Sequence, residues 1–127
     1  MPILRITALP QRPDIDVTAA MQRTCLALAD TMGLPSDQVW GTWTPLSPSA
    51  YAVGDIVPDV QPHSTHPPLV DLMALEGRSA DLRAQMLECV GSVLSAELGL
   101  QVGNVYVRYV EMQKTMVYSG GKVLALD

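Results

Sequence analysis

Basic residues are scarce in this sequence. Eight lysines and arginines stand against 13 aspartates and glutamates, which gives a net charge of −5 over 127 residues. Nucleic acids and anionic membrane surfaces bind proteins through a basic footprint, so this balance argues against both as partners, although a local basic pocket is compatible with it. The first residues also lack a long apolar run, and we therefore expect no signal peptide, no membrane anchor and a cytoplasmic location.

Cysteine and histidine are equally sparse, with two of each. Cys25 and Cys89 both fall within apolar helical patterns, where a small buried thiol is ordinary, and no CxxC spacing indicates a metal site or a disulfide. His63 and His66 have no third potential ligand near them in the sequence. We expect neither a metal nor another cofactor.

What the sequence does contain is an internal repeat. A shift of 66 residues places Pro68 on Pro2 without a gap, so that residues 68–78 align with residues 2–12 and keep the proline, alanine, leucine and arginine at identical offsets. Glycines further along repeat at the same spacing: Gly33 with Gly99, and Gly54 with Gly120. We predict one domain, 1–127, made of two units, 2–55 and 68–127, joined by a proline-rich linker at 56–67.

Each unit has the pattern of a strand, a helix and a second strand. Residues 3–9 and 69–75 are apolar runs of strand length. In the second unit Ser79 is a good helix N-cap and Gly99 a good helix stop, and the first unit repeats this plan with Asp14 or Asp16 at the start and Gly33 at the end.

Two such units predict an α+β fold, in which a four-stranded sheet carries two helices on one face. The opposite sheet face would be bare, so we expect self-association to cover it. Arg5 and Asp71 occupy the same place in the two units, and these opposite charges would face each other if the two first strands pair.

Several segments resemble a known family. Pro68 to Arg78, followed by Ser79, Glu111-Met112 and Gly120-Gly121-Lys122, resemble the subunit of 4-oxalocrotonate tautomerase, and residues 76–82 also resemble cis-3-chloroacrylic acid dehalogenase, a fused relative. Because each half aligns with one unit, the resemblance covers nearly the whole chain. It implies the tautomerase (4-oxalocrotonate tautomerase/MIF-like) fold and a trimer of fused chains, with the sheets inside and the helices outside.

The resemblance also implies that Pro2 is the catalytic residue once Met1 has been removed. A chain-terminal proline carries a secondary amine, and an α-amino group titrates near pH 8, roughly. Burial and a nearby arginine both lower the pKa of such an amine. The amine can then take a proton alpha to a carbonyl when neutral, or deliver one to an enol or an unsaturated acid when protonated.

Arg78 is predicted to bind the substrate carboxylate, because a guanidinium is a planar two-point donor with a fixed positive charge. In fused relatives the site at the first proline takes its arginine from the second unit, which pairs Pro2 with Arg78. Arg12 holds the equivalent place for Pro68. Since Pro68 is internal and has no free amine, we expect that second site to be inert.

Four further residues are candidates for contacting the substrate. Tyr106 stands where the tautomerase has a strand arginine, and Arg108 lies on the same strand face two residues later. Trp40 and Tyr106 have the spacing of core or interface strand residues and could also wall a pocket. Tyr118 falls near the place of the dehalogenase's catalytic glutamate, and Leu75 replaces that enzyme's second arginine.

These departures predict that the chain is not an efficient dehalogenase. The leading hypothesis is a cofactor-independent tautomerase or hydratase, a homotrimer that acts on a small unsaturated or 2-oxo carboxylic acid. One alternative is a catalytically silent trimeric homologue that binds a small acid or is purely structural. Another is an unrelated βαββαβ regulatory module that binds a small acid at a subunit interface, which would explain the repeat but not the proline–arginine spacing.

Overall fold

The computed structural model describes residues 1–125 and contains the strand–helix–strand order twice. The elements are β1 (Ile3–Ala8), α1 (Val17–Met32), β2 (Trp40–Pro45), β3 (Leu69–Leu75), α2 (Ala80–Glu97) and β4 (Tyr106–Met112). A small hairpin follows, formed by β5 (Tyr118–Ser119) and β6 (Lys122–Val123). The last two residues of the predicted second unit, 126 and 127, lie outside the described residues.

The four long strands form one mixed sheet in the order β2-β1-β3-β4. Within each half the two strands are parallel, β1 with β2 and β3 with β4, because a helix crosses between them. The halves meet through antiparallel pairing of β1 with β3, in which Arg5 stands opposite Asp71. This arrangement confirms the predicted α+β fold.

The predicted helix boundaries follow from local capping. The Asp16 side chain accepts a hydrogen bond from the Ala19 amide at 3.0 Å and starts α1, and the Ser79 hydroxyl accepts one from the Leu82 amide at 3.2 Å and starts α2. Gly33 and Gly99 both have φ of +66°, the left-handed conformation that ends a helix. The same capping plan therefore shapes both helices.

The repeat persists in the backbone hydrogen bonds. The Trp40 amide donates to the Pro2 carbonyl at 3.0 Å, and the Tyr106 amide donates to the Pro68 carbonyl at 3.0 Å. The β5–β6 hairpin also has a reduced counterpart in the first half, an isolated antiparallel bridge between Val53 and Ile56. The two prolines thus occupy equivalent positions at the starts of β1 and β3.

Both helices pack on one face of the sheet and enclose the core. The fully buried side chains of this layer come from alternate strand positions and from one side of each helix: Leu4, Ile6, Leu72, Leu28, Met86, Val90 and Leu94. Burial of each large apolar side chain contributes roughly 1.5–3 kcal/mol. The other sheet face is open to solvent and still carries large apolar groups, among them Trp40, Leu69 and Tyr106.

The linker between the halves has no helix or strand, yet side chains hold it in place. His66 is buried, with Nε2 at 2.9 Å from the Ile56 carbonyl. The Gln61 amide group donates to three linker carbonyls, and that of Asn104 does the same. Within residues 1–125, no helix is long and apolar enough to cross a membrane.

Candidate active site

The open sheet face divides into two grooves of different chemistry. The apolar groove has a volume of about 200 Å³ and is lined by Met1, Ile3, Trp40, Leu75, Met112, Val117, Tyr118, Ser119 and Leu124. The polar groove has a volume of about 470 Å³ and is lined by Arg5, Thr7, Thr42, Thr44, Leu69, Val70, Asp71, Tyr106 and Arg108. The two grooves share no lining residue.

Pro2 lies between Met1 and Ile3, two residues that line the apolar groove. It is buried, and it directly precedes β1, where the Trp40 amide binds its carbonyl. Met1, the next residue outward, lines the groove itself. Removal of Met1 would convert the Pro2 nitrogen into a secondary amine at this buried position.

Arg78 lies in the turn between β3 and α2, close to this groove but not among the residues that line it. Its Nη1 donates a hydrogen bond to the Leu75 carbonyl at 2.9 Å, and Leu75 lines the groove. The Arg83 guanidinium in turn donates to the Arg78 carbonyl at 2.7 Å. These two bonds fix both the backbone and the side chain of the half-buried Arg78.

The groove and Arg78 both affect the pKa of the Met1 α-amino group. Burial, and secondly the positive charge of Arg78, lower the pKa of the Met1 α-amino group from its ordinary value. Both effects disfavour the ammonium form. The structure therefore brings the amino end of the first half and the arginine of the second half together, while their catalytic roles stay predictions.

Tyr109 is a neighbour of Arg78 that the sequence analysis did not select. Its hydroxyl is buried and has no hydrogen-bond partner of acceptable geometry within the described residues. Burial raises the pKa of Tyr109, and the nearby Arg78 and Arg83 charges oppose that shift. Tyr109 alternates with Val107 and so lies on the core-facing side of β4. A tyrosine hydroxyl at such a position is the sequence signal that would have indicated this residue.

The other candidate residues line different grooves. Trp40 and Tyr118 line the apolar groove, and the Trp40 Nε1 donates to the Asp37 carbonyl at 3.1 Å. Tyr106 and Arg108 line the polar groove instead. Within one chain, the latter two residues therefore do not join Pro2 and Arg78.

Arg12 lies apart from both grooves, on the equivalent side of the second proline. Its Nε is 3.7 Å from a carboxylate oxygen of Asp14, and both side chains are exposed. Pro68, its predicted partner, is buried within the continuous chain, and its nitrogen is an amide. This geometry is consistent with the expected inert site.

The sequence matches no family model and no characterised protein. Solved structures, however, match the fold over nearly its full length. A wild-type fused 4-OT, described as a symmetric trimer, has a TM-score of 0.81 at 20% identity, over 97% of this chain and 95% of that chain. Pt0534 inactivated by 2-oxo-3-pentynoate has a TM-score of 0.83 at 17% identity, with the same coverage. Malonate semialdehyde decarboxylase has a TM-score of 0.71 at 17% identity, over 94% and 91% of the two chains.

The chain has the tautomerase fold.

Within this tautomerase fold, the described lining of the apolar groove contains no carboxylate. Glu76 is close in sequence, but its Oε1 accepts a hydrogen bond from the Lys114 amide at 3.3 Å. Among the described lining residues, Tyr118 and Ser119 supply hydroxyls, and the Trp40 indole N–H is bonded to the Asp37 carbonyl. No group of three potential metal ligands occurs within residues 1–125.

Proposed function

We propose that the chain is a cofactor-independent tautomerase of the tautomerase superfamily, with Pro2 as its acid–base group and a small 2-oxo or unsaturated carboxylic acid as its substrate. One observation carries the proposal. Met1 lines the apolar groove, and burial together with the nearby Arg78 charge lowers the pKa of its α-amino group, whose place the Pro2 amine would take once Met1 is removed. A base of this kind is suited to proton transfer near neutral pH.

Arg78 binds the substrate carboxylate with two guanidinium N–H groups and orients the acid in the groove. The neutral Pro2 amine accepts the proton of the enol hydroxyl as the C2–O bond becomes a carbonyl. The resulting ammonium returns a proton to C3, which completes the keto form. The amine ends in the state in which it began, and no proton is gained or lost overall.

Hydration of an unsaturated acid is the second candidate function. Addition of water needs a group that orients or deprotonates it, and in the described part of the groove the Tyr118 and Ser119 hydroxyls are the available side chains. A neutral hydroxyl is a weaker base than a carboxylate. Tautomerisation, which the amine accomplishes alone, is therefore the function that the groove supports better.

The proposed active assembly is a homotrimer that covers the open sheet face. Trp40 and Tyr106 expose 45% and 58% of their surfaces on that face, and β2 and β4 are the two edge strands of the sheet. Open edges and exposed aromatic groups are typical of surfaces that associate. The structurally similar fused 4-OT, a trimer, supports this assembly.

Ketonisation of phenylenolpyruvate tests the proposal. Intact-mass measurement first establishes the fraction of chains that lack Met1, because only those carry the proline amine. We expect Pro2→Ala to lower the rate by at least about 100-fold, the usual contribution of a positioned general acid or base. The matched control, Pro68→Ala, changes the equivalent internal proline and should retain the original activity.

A rate no faster than solvent for the processed chain would favour the silent homologue. An undiminished rate in Pro2→Ala would remove Pro2 from the mechanism. We also propose 2-oxo-3-pentynoate, the compound that inactivates Pt0534, as a probe of the same amine. The amine would add to its activated triple bond, so the adduct would retain all atoms of the compound.

A further inference from the structure

A row of polar side chains crosses the open sheet face within the polar groove. The strand register places Thr42, Arg5, Asp71 and Arg108 side by side on four neighbouring strands. Asp71 does not bond Arg5, its opposite neighbour across the antiparallel pair. Instead its two carboxylate oxygens accept from the Nε and Nη2 of Arg108, at 3.0 and 3.2 Å.

Among the described residues, Arg5 is therefore left without an ion-pair partner. No carboxylate among residues 1–125 lies within ion-pair distance of its guanidinium. Thr42 is its lateral neighbour, and Thr7 follows on the same face of β1, with Thr44 beside it. Lateral neighbours in a sheet are about 5 Å apart and same-face residues along a strand about 7 Å, so these three threonines lie near Arg5, on β1 and on the β2 side of it.

The charge of the groove is opposite to that of the whole chain. Two arginines and one aspartate line it, although the chain has a net charge of −5. A guanidinium only donates hydrogen bonds, and threonine hydroxyls donate readily beside it. The Arg5 guanidinium and the threonine hydroxyls on the β2 side of it are together complementary to an oxyanion, whereas the Asp71 carboxylate on the other side is bonded to Arg108.

We infer that the polar groove is a second site, separate from the apolar groove, that binds a small oxyanion of the phosphate type through Arg5 and the threonine hydroxyls. The volume of about 470 Å³ exceeds what inorganic phosphate requires, and Leu69 and Tyr106 form an apolar wall at one side. The oxyanion would therefore be the charged group of the natural ligand or a free ion.

The proposed trimer gives this site a further consequence, which rests on that assembly. If the open face lines its interior, three uncompensated Arg5 charges lie within a shared space and repel one another. A bound oxyanion would offset that repulsion. In that assembly the oxyanion would bind within the covered face, between subunits, and its binding does not require tautomerase activity.

Calorimetric titration of the full chain with sodium phosphate, at constant ionic strength set by sodium chloride, tests the inference. We expect saturable binding to the original chain and a weakening of about 10-fold or more in Arg5→Gln, the usual loss for a charge-assisted hydrogen bond. Arg12→Ala, which removes an exposed arginine that lines neither groove, is the matched control and should bind phosphate as the original chain does.

Thr42→Val provides a second variant that keeps the shape of an exposed strand residue and removes only a hydroxyl. It should weaken phosphate binding less than Arg5→Gln does. Absence of saturable binding to the original chain would overturn the inference, and so would binding that survives Arg5→Gln but disappears in Arg78→Ala. Because heat is measured and not turnover, an inactive chain that binds phosphate would contradict only the proposed function.

Discussion

Pro2 and Pro68 occupy equivalent places in the fold and differ in chemistry. Each precedes a strand, each is buried, and each accepts a backbone hydrogen bond of 3.0 Å from the first residue of the neighbouring strand. Pro2 is one residue from the amino terminus, whereas Pro68 continues from the linker. Chain continuity, and not the surrounding fold, therefore decides which proline can become an amine.

The two arginines diverge as well. Arg78 is half-buried, donates to the Leu75 carbonyl and lowers the pKa of the terminal amine. Arg12 is exposed beside Asp14, and its Nη2 would lie 2.6 Å from a Cβ at position 99, where the chain has glycine. The Arg12 side chain therefore lies beside Asp14 and Gly99, whereas the Arg78 side chain bonds the carbonyl of Leu75, a residue that lines the apolar groove.

The largest difference is expected between substitutions of the two arginines, measured as the KM for phenylenolpyruvate. Arg78→Ala should raise the KM for phenylenolpyruvate by about 10- to 100-fold, since a charge-assisted hydrogen bond to the carboxylate is lost. Arg12→Ala should leave KM unchanged. Steady-state kinetics on both variants measures the contrast, and equal effects of the two substitutions would show that the carboxylate does not depend on the Arg78 side of the molecule.

A smaller effect is expected on the titration of the amine. Burial and Arg78 lower the pKa of the Met1 α-amino group, and we expect both to act in the same direction on the Pro2 amine of the processed chain. More of the amine is then neutral at a given pH, and the rate should rise with pH through a midpoint below the ordinary value for an α-amino group. In Arg78→Ala the amine pKa should increase, while in Arg12→Ala it should stay as it was. NMR titration of the processed chain with ¹⁵N-labelled proline measures it, and a decrease in Arg78→Ala would contradict the assigned cause.

The repeat and the helix ends could be predicted because they depend on local signals. Asp16, Ser79, Gly33 and Gly99 act within a few residues of their own positions, and strand alternation assigns the two sheet faces without knowledge of the partners. Arg5 stands opposite Asp71, as expected if the two first strands pair. The sequence does not predict which arginine Asp71 bonds, because a strand residue has a lateral neighbour on each side and the pattern does not favour one over the other.

The composition of the candidate site was less accessible from sequence. Val117 and Leu124 enter the apolar groove from the region of the β5–β6 hairpin, whose path depends on tertiary packing. Tyr106 and Arg108 share a sheet face with Trp40, but the rows of the sheet put them in the other groove. Period-two alternation decides on which sheet face a residue lies. Its row, the line of laterally paired residues across the sheet, depends on the register of all four strands.

Covalent labelling of the processed chain with 2-oxo-3-pentynoate, followed by intact-mass measurement and peptide mapping, tests whether Pro2 is a reactive amine. We expect one adduct per chain, located on the Pro2 nitrogen, and slower labelling in Arg78→Ala than in Arg12→Ala. A label on another residue, or equally fast labelling of chains that retain Met1, would contradict a reactive proline amine beside Arg78.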